Sequence, residues 1–80
     1  MPKFLDRHPT MPMPPEQIAE MRRSMGQPHD GVTALQFVVG KEQSYCLSEA
    51  DSADTVRKYH ANMGMELGDS AIEEVTDVLP

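Results

Sequence analysis

Residues 9–15 read PTMPMPP, four prolines in seven positions. Proline has no backbone N–H to donate and its ring clashes with a preceding helical turn, so no long helix runs through this segment. On its N-terminal side, KFLDRH (3–8) is a short strand candidate that ends at Pro9. On its C-terminal side, PEQIAEMRRSMG (15–26) opens on proline and glutamate, sets Ile18, Met21 and Met25 at helical spacing, and closes on Gly26. It reads as an amphipathic helix.

Beyond the QPHDG turn, VTALQFVV (32–39) is rich in β-branched and aromatic residues, and GKEQ leads into SYCLSEA (44–50). The pair reads as a β-hairpin. DSADTVRKYHANMG (51–64) offers Asp51 or Ser52 as N-cap, puts Ala53, Val56, His60 and Met63 on one stripe, and stops at Gly64. This is a second helix. A glycine-containing loop then delivers AIEEVTDVL (71–79), a fourth strand that is partly exposed and acidic.

The order strand, helix, strand, strand, helix, strand is that of the split βαβ, ferredoxin-like α+β class, with 1–80 as a single domain. The expected sheet has four strands and is antiparallel-rich, with its first and third strands adjacent and parallel at the centre and both helices on one face. A chain of 80 residues buries only about 60% of its unfolded surface. The uncovered sheet face is therefore expected to pack against a second copy, giving a homodimer.

The formal charge of −6 disfavours nucleic acid as a partner, because such binding rests on clustered Lys and Arg neutralising phosphates. Arg22-Arg23 is the one basic pair, and a solvated helix face accounts for it. No apolar run is long enough for a membrane span, and the N-terminus lacks a basic segment followed by an apolar stretch, so a cytoplasmic protein is expected. The single cysteine, Cys46, cannot form an internal disulfide, which fits a reducing compartment.

Four side chains could hold a metal. Cys46 lies three residues before the end of the third strand, and His60 lies roughly 12 Å along the second helix, so the two can be level with one another. A thiolate with an imidazole suits nickel, copper or zinc better than a hard cation. Whether they meet depends on the face Cys46 takes, since neither Cys46 and Ser48 nor Tyr45, Leu47 and Glu49 is plainly the core set. Buried packing of Cys46 and a hydrogen-bonded helical His60 is the alternative. Asp6 and His8 alternate onto one face of the first strand; with parallel central strands, His8 falls near Glu49. For Asp6 the alternative is a surface carboxylate loosely paired with Arg7 or a lysine. His29 sits in a polar turn and is expected to be exposed. The MPM (11–13) and MGM (63–65) spacings also occur in soft Cu(I) sites, but core packing is the better reading for Met21, Met25 and Met63.

MPKFLDRH, SYCLSEADSADTVRKYHANMG and IEEVTDV together resemble a family of small ferredoxin-like proteins, most labelled only as a domain of unknown function. The family includes a bacterial nickel-binding protein that forms a dimeric αβ barrel. The resemblance spans essentially the whole chain, and its most specific element is the Tyr45-Cys46 pair followed by an acidic helix start and His60. TMPMPP and NMGMELGDS depart from the family pattern. The resemblance implies nickel; Asp6, His8, Cys46 and His60, singled out on their own chemistry, are the candidate ligands for it or another divalent transition metal, with storage, buffering or sensing as the expected role. Two other classes compete with it. One is a small-molecule enzyme of the same fold, although no phosphate-cradling loop, dinucleotide fingerprint or nucleophile elbow is present. The other is an interaction module presenting Glu73, Glu74 and Asp77.

Overall fold

The computed structural model describes residues 1–79. Strand β1 (Lys3–Pro9) leads through the proline loop to helix α1 (Pro15–Ser24), strands β2 (Pro28–His29), β3 (Val32–Val39) and β4 (Gln43–Glu49), helix α2 (Ala53–Asn62), a single 3-10 turn (Asp69–Ala71) and strand β5 (Ile72–Val75). The strands form one antiparallel sheet in the order β2-β3-β4-β1-β5. This α+β arrangement is consistent with a ferredoxin-like fold.

Three expectations need correction. The two central strands, β1 and β4, are adjacent as expected but antiparallel, with Asp6 opposite Cys46 and His8 opposite Ser44. Chain direction explains it. The crossover through α1 returns the chain so that β3 runs with β1, and the β3–β4 hairpin then reverses it. The sheet has five strands rather than four, because Asp30 (φ 52°) and Gly31 (φ 80°) both take the left-handed conformation and close a miniature hairpin pairing His29 with Val32. The last strand covers 72–75 rather than 71–79: it follows the 3-10 turn, and past Val75 the ladder with β1 has ended at Lys3. Glu73 and Glu74 are exposed on this edge, a charge placement that discourages further strand pairing.

Helix α2 is set by its caps. Ser52 is the N-cap, its Oγ accepting from the Thr55 amide at 3.3 Å. At the other end Gly64 (φ 83°) donates to the Ala61 carbonyl and Met65 to the His60 carbonyl, both at 2.9 Å, the Schellman pattern. Val56 and His60 are its buried residues, while Met63 is exposed. The core consists of Phe4, Val32, Ala50, Val56 and Ile72, with Ala53, Tyr59 and Leu67 packed against it. Helix α1 buries none of its side chains, so the packing expected of Met21 and Met25 is only partial. No described helix is long and apolar enough to cross a membrane.

Candidate metal centre

The alternation of β4 places Ser44, Cys46 and Ser48 beneath the helices, all three buried, and leaves Tyr45 exposed on the other face. The same alternation turns Phe4, Asp6 and His8 inward from β1. A β-bulge between Ala34 and Gln36 shifts β3 by one residue and brings Phe37 opposite Cys46. Antiparallel pairing therefore puts Asp6 at the level of Cys46 instead of leaving His8 near Glu49.

Asp6 is 1% exposed, which rules out the surface ion pair with Arg7. Its Oδ1 lies 3.4 Å from Nε2 of His60, itself 4% exposed. The contact is long for a hydrogen bond, and neither carboxylate oxygen has a hydrogen-bond partner among the described residues. Nδ1 of His60 lies 2.8 Å from the Val56 carbonyl oxygen. A carbonyl only accepts, so Nδ1 carries the hydrogen and donates it. In the neutral ring, Nε2 then presents a lone pair to a carboxylate. Two lone-pair atoms buried face to face repel one another unless a cation or a proton comes between them.

His8 completes the group. Its ring centroid lies 6.0 Å from that of His60 and 5.9 Å from that of Phe37. Nδ1 of His8 faces the Pro9 carbonyl oxygen at 3.3 Å, so this ring too has its Nδ1 occupied as a donor. Histidines that bind metals commonly give their second N–H to a carbonyl in this way, which fixes the tautomer and aims the other nitrogen. One ligand atom from each of Asp6, His8 and His60 lies within 4.8 Å of the other two.

Cys46 stands outside this close group, although it faces the same cavity as His8 and His60. Its Sγ contacts the Leu47 carbonyl oxygen at 3.9 Å. Burial, reinforced by the charge of Asp6, pushes the thiol up to about 12. For His60, burial works against the charged ring, but the Asp6 carboxylate and the Val56 carbonyl outweigh it and the pKa is raised. His29 is exposed in the miniature hairpin.

One carboxylate and two imidazoles suit borderline divalent metals and leave coordination positions open. The buried oxygens of Asp6 without hydrogen bonds, and the nitrogen facing them, fit such an ion. The sequence carried all three residues of this group; what it concealed was the strand direction that draws them together. Compared with family models, curated proteins and solved structures, the chain matches none.

Proposed function

We propose that this protein binds one divalent transition-metal ion per chain through Asp6, His8 and His60, and that it serves in storage, buffering or sensing of that ion. Nickel is the metal that the family resemblance favours. The observation that carries the reading is the buried Asp6 carboxylate, 3.4 Å from Nε2 of His60 and without a hydrogen-bond donor of its own among the described residues. A cation at that point satisfies both groups at once. Ionisable groups whose ionisation is perturbed by burial and a specific charge partner, as His60 is by Asp6, concentrate at functional sites.

A ferredoxin-like homodimer is part of the same proposal. The sheet face away from the helices carries Leu5, Val38 and Tyr45, each exposed, beside Leu47. A second copy packed on this face would remove them from water, at roughly 25 cal/mol per Å² of apolar surface.

The test is elemental analysis of protein purified without a polyhistidine tag, followed by competition among nickel, copper and zinc. Stoichiometric uptake that raises the melting temperature is the expected result. At a free metal concentration of 100 Kd the stabilisation is about 2.7 kcal/mol, a shift on the order of 10–20 °C for a domain of this size. Uptake below one ion per ten chains with no thermal shift would reject the site.

A further inference from the structure

The inward side chains of β4 are Ser44, Cys46 and Ser48, with Ala34 and Phe37 opposite Ser48 and Cys46 on β3. These are mostly small residues where a close-packed layer would carry branched aliphatics. The helix above them, α1, buries nothing. The space between stays open as a cavity of about 470 Å³. That volume falls within the range of small-molecule sites, about 300–1,000 Å³.

Its wall is unusual in composition. Six of the seven methionines line it: Met11 and Met13 from the proline loop, Met21 and Met25 from α1 and its end, Met63 and Met65 from the segment after α2. Three separate stretches of chain thus deliver unbranched, polarisable thioethers to one space, and such side chains adapt their shape to an apolar guest. Polar groups line it on both sides, Gln17, Glu20 and Ser24 from α1, His60 from α2, and His8 and Ser48 from the sheet, with the Glu20 carboxylate paired to Arg23. His8 and His60 open onto the cavity, and so does Ser48, fully buried, whose Oγ has no hydrogen-bond partner among the described residues. A divalent ion held by one carboxylate and two neutral imidazoles keeps one net positive charge, so this end of the cavity favours an anionic oxygen donor.

We infer that the cavity binds a small molecule with a compact apolar body and an anionic oxygen-donor head, the body among the methionines and the head shared between the metal and the Ser48 hydroxyl. This rests on the metal site proposed above. Three protein ligands leave positions for the head, and the six thioethers form the surface that selects the body.

The experiment uses the full chain loaded with cobalt(II), whose visible spectrum reports on its ligands, titrated with 4-isopropylbenzoate and separately with acetate. The expected result is a spectral change with 4-isopropylbenzoate at a concentration at least tenfold lower than with acetate. Ser48→Val, which fills part of the space and removes the hydroxyl, should weaken 4-isopropylbenzoate at least tenfold while cobalt uptake is unchanged. Equal affinity for the two carboxylates, or no spectral change with either, on protein that has taken up stoichiometric cobalt, overturns the cavity inference and leaves the metal site standing. Failure to take up cobalt overturns both. The comparison of the two carboxylates on the unmutated chain decides the matter even if Ser48→Val does not fold.

Discussion

Asp6 and Cys46 are direct partners across the β1–β4 ladder, both inward and both buried. A carboxylate in that position is the second cause, after burial itself, of a thiol pushed up to about 12. The only cysteine of the chain is therefore protonated at neutral pH and lies beside the Asp6, His8 and His60 group without belonging to it.

Alkylation tests this directly. With a pKa near 12 the thiolate is about one part in ten thousand at pH 8. Iodoacetamide should modify the metal-free native protein at least a hundredfold more slowly than the urea-unfolded chain, as followed by mass spectrometry. Cys46→Ser should change metal affinity less than about threefold, whereas a loss approaching that of Asp6→Asn would place the sulfur among the ligands.

Asp6 and His60 should behave as a coupled pair. Removing one partner of a buried ion pair typically costs about 3–5 kcal/mol, because the other is left charged and uncompensated. His60→Ala should destabilise the metal-free protein by about that amount in urea melts. Asp6→Asn should cost less than His60→Ala, because an imidazole left without its carboxylate can lose its proton and become neutral, whereas the carboxylate left by His60→Ala stays charged. The double variant should then be more stable than His60→Ala alone, a non-additivity that unrelated core residues would not show. Each single variant should lower metal affinity a hundredfold or more, read by competition with a chelating dye.

The pH dependence should have opposite signs with and without metal. The pKa of His60 is raised in the folded state above its usual 6.5, so the protonated ring contributes stability that is complete below about 6.5 and fades as pH rises through the folded value. The melting temperature of the metal-free protein should fall across that interval, and His60→Gln should flatten the fall. Metal and proton compete for Nε2, so metal affinity should rise over the same interval. Parallel profiles for the two forms would show that the ring is not a ligand.

The open sheet face predicts a dimer at micromolar concentration. Val38 and Tyr45 are cross-strand partners on that face, 58% and 39% exposed. Val38→Lys with Tyr45→Glu should shift sedimentation to the monomer while far-ultraviolet circular dichroism is preserved. A wild-type chain that stays monomeric at 50 micromolar would remove the second copy from the proposal.

Local punctuation made much of this fold legible. Ser52 caps α2 where the polar run meets the apolar stripe, Gly64 ends that helix in the left-handed conformation, and the hairpin follows its β-branched runs. Relations between distant segments were harder. The direction of β1 against β4 depends on counting reversals along the chain, and a parallel reading displaced His8 from Ser44 to the level of Glu49. The face taken by Cys46 was ambiguous because Ser44, Cys46 and Ser48 are small and weakly polar, which gives the alternation no hydrophobic contrast. The Leu35 bulge left no signal either, yet it decides that Phe37 stands opposite Cys46. The cavity is a property of what is missing above the sheet, and no periodicity registers missing volume.

Of the five residues that make the core, Val32 alone also lines the cavity. Phe4, Val32, Ala50, Val56 and Ile72 make the core, while Ser44 and Cys46 shape the floor from a strand paired along both edges. Backbone ladders are indifferent to small changes of side chain, so the floor can be altered one residue at a time without disturbing the assembly beneath it. Descendants of such a chain could diverge in the guests they accept while keeping one architecture, because recognition and folding share Val32 and Tyr59 but otherwise draw on different positions.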